Sequence, residues 1–209
     1  MNTEHMSFSL ANIVMLYEDL SVAKVSRDKI LDIFEGLQPQ HLDVNPVFFV
    51  RYPTKRIEIY IFINDNRVET KIANPYDDSW NDLIDAGSAV YNAIQGSSLK
   101  AFGFNLFTEI SGIEESATKF LVRQFEKSLS SVEAQIGGKV ESLATTLKYI
   151  KNKENHQLDI LPSVREGSTL DVRLNVQYDK PKLLNRDDLL KNYLDFKEDT
   201  IATMGKLFS

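Results

Sequence analysis

The sequence contains no cysteine. That absence excludes disulfides, thiol nucleophiles and cysteine-ligated zinc or iron–sulfur clusters, while saying little about compartment. Histidine is scarce, with only His5, His41 and His156. None lies in an HxH or HExxH arrangement that would aim two imidazoles at one metal. His5 falls in a terminal segment, His41 in an expected loop beside Pro39, and His156 at an expected turn, so each is read as a surface residue and no metal or histidine triad is expected. The 9 glycines include no GxGxxG or GxxxxGK(S/T), the spacings whose backbone N–H groups cradle phosphate, and no nucleotide cofactor is expected.

Long apolar runs are also missing. No stretch approaches the roughly 20 residues that cross a bilayer, and the first ten residues, MNTEHMSFSL, lack the basic and apolar regions of a secretion signal. The expectation is a soluble cytoplasmic protein with no membrane partner. Basic residues are in deficit, 24 Lys and Arg against 30 Asp and Glu, for a formal charge of −6. Such a field repels nucleic acid unless cations are segregated on one face. Arg51, Lys55 and Arg56, and then Lys148, Lys151 and Lys153, are short clusters at expected strand ends, so no nucleic-acid partner is expected.

What remains is an ordinary globular composition, 43% hydrophobic and 26% charged over 209 residues. A chain of this size buries about 70% of its unfolded surface, enough for a sizeable core. The expected organisation is a disordered tail over residues 1–7 and a single domain over 8–209.

Along the chain, residues 8–17 (FSLANIVMLY) are apolar and β-rich and predict a first strand. Ser26 stands at an N-cap position, Asp28 in a first turn, and Ile30, Leu31, Phe34 and Leu37 recur at helical spacing before Pro39. Residues 47–50 and 57–63, with a return from Val68 to Ala73 after Asn64-Asp65-Asn66, predict a three-stranded meander. Ser79 can cap a helix striped by Leu83, Ile84, Ala86, Val90, Tyr91 and Ile94 and stopped at Gly96. Residues 99–110 return to strand chemistry, with Phe102, Phe104 and Leu106 on one face and Phe107 on the other.

The strongest helical stripe is Ala117, Phe120, Leu121, Phe125, Leu129, Val132 and Ile136 over residues 113–136, with Glu114 and Glu115 at its start and Gly137-Gly138 as its stop. Residues 139–150 and a short segment through Leu158 and Ile160 predict two more strands. Residues 169–178 alternate cleanly, Leu170, Val172, Leu174, Val176 and Tyr178 against Asp171, Arg173, Asn175 and Gln177, which is the pattern of a half-buried antiparallel strand. Asn185 can cap a last helix with Asp187 and Asp188 in its first turn and a stripe of Leu190, Tyr193, Leu194, Lys197, Ile201, Met204 and Phe208. The chain is thus expected to be α+β, a mainly antiparallel sheet of about eight strands with four helices. Its order, strand, helix, three strands, helix, occurs twice, over 8–96 and 99–208, suggesting a pseudo-duplicated unit.

Asp77, Asp78, Asp82 and Asp85 around Trp80 form the densest acidic cluster. Clustered carboxylates can bind hard cations, but these lack the turn glycine and alternating ligands of a calcium loop and suit a solvated helix start. Glu58 and Glu109 sit among apolar strand residues, where pairing with Arg51, Arg56 or Lys100 is expected rather than acid–base work. The most informative feature is residues 57–63: Ile57, Ile59, Ile61 and Ile63 share one face while Tyr60 and Phe62 occupy the other, so both faces are expected to be covered.

Two functional readings follow from different classes. In the first, the chain is a non-enzymatic protein-interaction module acting as a homodimer or on another protein, with Phe48, Tyr60 and Phe62 at the interface. In the second it is a small apolar-ligand binding protein or enzyme, with Tyr60, Phe102, Phe104 and Tyr149 lining a cavity between sheet and helices.

Overall fold

The computed structural model of the chain describes residues 6–76, 78–113, 115–125, 133–135, 143–164 and 167–207. The elements run β1 (Met6–Tyr17), α1 (Arg27–Leu31), β2 (Gln40–Val44), β3 (Val47–Tyr52), β4 (Ile57–Phe62), β5 (Arg67–Ala73), α2 (Ser79–Ala93), β6 (Leu99–Ile110), α3 (Ala117–Phe125), β7 (Thr145–Lys151), β8 (Glu154–Pro162), β9 (Leu170–Tyr178) and α4 (Arg186–Leu207). The nine strands form one antiparallel sheet in the order β2-β3-β4-β5-β1-β6-β9-β8-β7. Read inward from its two edges, the order is a meander followed by the first strand of each half, β2-β3-β4-β5-β1 and β7-β8-β9-β6.

The first meander has four strands where three are expected, because Gln40–Val44 is a strand and His41 lies within it. All five of its residues are exposed. With no core to face, β2 carries no burial pattern to read, and its existence rests on the ladder to β3, which pairs Leu42 with Phe49 and Val44 with Val47.

The chain divides into two compact units. One comprises Leu10–Asn105 and Val176–Phe196; the other comprises the described parts of Met1–Ser9, Leu106–Asn175 and Lys197–Ser209. In the first unit the register places Ala11, Ile13 and Met15 of β1 beside Ile72, Thr70 and Val68 of β5, and these beside Ile57, Ile59 and Ile61 of β4. Phe48, Val50 and Tyr52 of β3 continue the same face. This face is the core, and the described packing of α1, α2 and α4 falls on it.

Helix α2 presents Trp80, Leu83, Ile84, Ala86 and Val90 as buried residues, and a Cβ placed on its Gly87 would come within 2.8 Å of Ile13 Cδ1. Tyr52 donates its hydroxyl to the carbonyl of Ile30, capping the end of α1, which stops at Leu31. The expected continuation of that helix through Leu37 does not occur. Phe34 instead meets Tyr52 edge-on, with ring centroids 4.9 Å apart. Ser26 is the N-cap residue as expected, though its side chain makes no capping bond.

An aromatic cluster closes this unit. Tyr193 of α4 lies 4.8 Å from Phe104 and 5.5 Å from Trp80, and Phe102 stacks on Tyr178 at 4.9 Å. The buried stripe of α4 is Leu189, Tyr193, Phe196, Thr200 and Met204. It is rotated from the expected stripe, sharing with it Tyr193 and Met204; Leu190, Leu194 and Ile201 are half-buried on its flank. Asn185 caps the helix as expected, its side-chain oxygen accepting the Asp188 N–H at 3.0 Å.

In the other unit β7 pairs with β8, setting Leu147 beside Leu158 and Tyr149 beside His156. Helix α3 packs on β8 through a stripe in which Ala117, Phe120 and Leu121 are buried as expected. Residues 133–135 are helical. Glu114, Leu129, Val132, Ile136, Gly137 and Gly138 lie outside the described residues, as do His5, Asp77, Phe208 and the start of the strand expected over 139–150. Strand β9 alternates as its sequence requires, with Leu170, Val172, Leu174, Val176 and Tyr178 buried. Lys197, the one charge in the expected stripe, lays its ammonium 5.9 Å from the ring of Phe8, the apolar use of a lysine stem. Among the described residues no helix is long and apolar enough to cross a membrane.

Candidate functional site

The face of the first unit's sheet opposite the core carries a mixed surface whose composition follows from strand alternation. Side chains point to opposite faces at successive residues, so β3 offers Val47, Phe49 and Arg51, β4 offers Glu58, Tyr60 and Phe62, and β5 offers Arg67, Glu69 and Lys71. Cross-strand pairing turns these into rows. One row runs Leu42, Phe49, Tyr60, Glu69, Val14, and the next runs Val44, Val47, Phe62, Arg67, Leu16.

The rings of Phe49 and Tyr60 are 4.7 Å apart, and Tyr60 stacks on Phe62 at 5.8 Å with the planes 3° from parallel. Cations lie over them. The Lys71 ammonium is 4.4 Å from the Tyr60 centroid and the Arg67 guanidinium 6.0 Å from that of Phe62, both within cation–π range. Glu58 accepts from Lys71 at 3.1 Å, from the Tyr60 hydroxyl at 3.0 Å and lies 3.5 Å from Arg51. Burial, reinforced by the bond to Glu58, raises the Tyr60 hydroxyl above its ordinary pKa; Lys71 is raised too, desolvation opposing and Glu58 and Tyr60 prevailing. Glu58 thus faces both Lys71 and Arg51, and Glu69 faces Arg67, so the face presents rings beneath paired cation stems.

Further along the face, Asn105 donates to Asn12 at 2.6 Å, Asn12 donates to Glu69 at 2.7 Å, and Arg67 donates to Glu69 at 2.9 Å. Asn12 is only 4% exposed, so this chain of bonds is what makes its burial tolerable. The alternation Arg67, Glu69, Lys71 against Val68, Thr70, Ile72 was the sequence signal for this charged strip.

The expected site residues are divided by the sheet. Tyr60 and Phe62 are together on the open face, while Phe48, the third expected interface residue, is buried on the core face beneath Arg27, whose guanidinium lies 5.6 Å from its ring. Of the expected cavity lining, Phe102 and Phe104 are 5.9 Å apart in the aromatic core, Tyr60 is on the open face, and Tyr149 belongs to the other unit. A crevice bounded by Val22, Val25, Arg27, Asp43, Phe48 and Ile61 has room for about 10 Å³, one water molecule. A wider groove of about 560 Å³ beside Ser88, Tyr91, Asn92, Leu183 and Arg186 is open to solvent, and its guanidinium is committed to Asp85 at 2.6 Å.

The acidic cluster is dispersed in ion pairs. Asp82 meets Lys55 at 2.9 Å, Asp85 meets Arg186, and Asp78 is the N-cap of α2. Among the described residues no three histidine, aspartate or glutamate side chains are grouped to hold a metal.

His156 departs from expectation. It lies in β8, 8% exposed, with Tyr149 stacked on it at 5.0 Å and Glu154 4.0 Å from its Nε2. Burial lowers its pKa against the pull of Glu154 and Asp199, and Nε2 has no hydrogen-bond partner among the described residues. The polar residues around it suggested a turn, whereas the β7–β8 ladder sets it opposite Tyr149, on the buried face of β8 with Leu158 and Ile160.

No protein family matches the sequence, and no curated protein matches it.

Proposed function

We propose that the chain is a non-enzymatic protein-interaction module that acts as a homodimer. The observation that carries this reading is the open sheet face, where Leu42, Val44, Val47, Phe49, Tyr60 and Phe62 form one patch rimmed by Arg51, Arg67 and Lys71. Aromatic rings with arginine around them are the composition enriched in protein interfaces. Pairing of the neighbouring charges further supports a binding role over a chemical one, since catalysis needs an acid or base left free to exchange a proton. Native mass spectrometry at micromolar concentration tests the reading: the dimer mass is expected, and a strict monomer that captures no second chain overturns it.

A further inference from the structure

We infer that two copies of the chain join edge to edge along β2, antiparallel and centred on Leu42. The inference rests on the homodimer reading above and specifies its surface. Strand β2 ends the sheet order, so one side of its backbone has no strand beside it among the described residues. An exposed edge is a template for pairing with another strand. The opposite edge, β7, carries exposed Lys148 and Lys151, the residues that commonly block such pairing. Strand β2, Gln40-His41-Leu42-Asp43-Val44, carries neither lysine nor arginine.

The register follows from the side chains. A two-fold axis normal to the sheet keeps each face continuous, so residues that oppose one another must share a face. Centring on Leu42 sets it against the partner's Leu42, Gln40 against the partner's Val44, and His41 against the partner's Asp43. The imidazole donates an N–H to the carboxylate, and symmetry makes the bond twice. Asp43 is already held in place through Oδ2 by Arg27 of its own chain. Centring on Asp43 would oppose two carboxylates, and centring on His41 would oppose the two imidazoles and give Asp43 no donor across the axis; like charges directly across an antiparallel ladder destabilise it.

The apolar residues point the same way. Leu42 and Val44 are 57% and 56% exposed, and they continue the row to Phe49 and Val47. Joining two copies along β2 brings the two open-face patches into one strip across the axis and covers the two most exposed apolar side chains of this unit's edge.

A chain without cysteine makes the test direct. Leu42→Cys, on a side chain that supports no core, is expected to form a disulfide-linked dimer on mild oxidation, since directly opposed Cα atoms lie about 4.5–5.5 Å apart, within the roughly 4.4–6.8 Å that a disulfide spans. Gln40→Cys alone is expected to stay unlinked, because its two copies are offset by about 14 Å, four residues at ~3.4 Å each. A mixture of Gln40→Cys and Val44→Cys is expected to link. A dimer by native mass in which Leu42→Cys fails to link, or Gln40→Cys links equally well, overturns the β2 register while sparing the interaction module. A monomeric parent chain with no linkage in any variant overturns both.

Discussion

Two tyrosines offer the same chemical change with opposite expected signs. Tyr193 and Tyr52 are both fully buried, but the Tyr193 hydroxyl has no hydrogen-bond partner among the described residues, whereas the Tyr52 hydroxyl donates to the Ile30 carbonyl at 2.5 Å. Leaving a buried polar group unpaired costs about 1–3 kcal/mol. Tyr193→Phe removes that penalty and keeps the ring against Trp80, Phe104 and Phe196, so the chain should gain on the order of 1 kcal/mol after a small loss of contact where the oxygen was. Tyr52→Phe removes the donor and orphans the carbonyl at the end of α1, so it should lose about 1–3 kcal/mol. For a chain of this length each kcal/mol moves the midpoint by about 2–4 °C. Thermal and urea unfolding of the two variants beside the parent give the comparison. A fall in stability for Tyr193→Phe would refute the assignment of an unpaired hydroxyl, and an unchanged Tyr52→Phe would refute the capping role of Tyr52.

Glycine substitutions separate backbone from side-chain crowding. A Cβ on Gly103 would sit 2.6 Å from the Val176 carbonyl oxygen, a backbone atom that cannot rotate away, so Gly103→Ala should cost about 1–3 kcal/mol. Gly87→Ala meets only the end of the Ile13 side chain, and the gain of about 1 kcal/mol in helix propensity offsets that contact; near-neutral unfolding is expected, and equal losses for the two variants would overturn the distinction. His156 gives the pH dependence. Because burial sets its folded pKa below the unfolded value of about 6.5, the folded chain binds fewer protons there, and this contribution is complete above about 6.5 and is lost as pH falls toward the folded value. Replacing it by Phe, which keeps the stack on Tyr149, should flatten the fall in urea midpoint between pH 7.5 and 5.5, by at most about 1.4 kcal/mol per pH unit; an unchanged slope would show that His156 titrates normally.

The sequence was most legible where one periodicity met one burial surface. Strand β9 and the first turns of α3 read correctly because each alternation or stripe faced a single core. Helix α4 was harder, since Leu189 and Leu190, and then Tyr193 and Leu194, are adjacent apolar pairs, and hydrophobicity alone does not say which member of a pair faces the sheet. The buried Thr200 completes the true stripe, and a threonine gives no apolar signal at all. Strand β2 was invisible for the converse reason, because an edge strand with both faces wet satisfies its backbone without a hydrophobic pattern. His156 was misplaced because the polar run from Lys151 to Asn155 beside it reads as a turn, while the stacking partner Tyr149 is brought to it by a hairpin.

The two-sided apolarity of residues 57–63 bears most directly on function. Its isoleucine face is core, as expected. The other face was expected to need a cover, and within the described residues the cover consists of Lys71 and Arg67 laid over Tyr60 and Phe62. That arrangement has a physical consequence. A helix over those rings would remove them from water for good, but long cationic side chains shield apolar surface while their charged ends stay hydrated, and they can swing aside at the cost of a cation–π contact of about 0.5–1 kcal/mol at an exposed site. Tyr60 and Phe62 are thereby kept half-buried in the single chain, which is what the proposed interaction surface requires. The rim that shields them already has its charges paired, by Glu58 and Glu69, so a partner that lies flat on the rings need not supply counter-charges. Such a surface is ill suited to a strongly acidic partner, which would have to compete with Glu58 and Glu69 for the same cations.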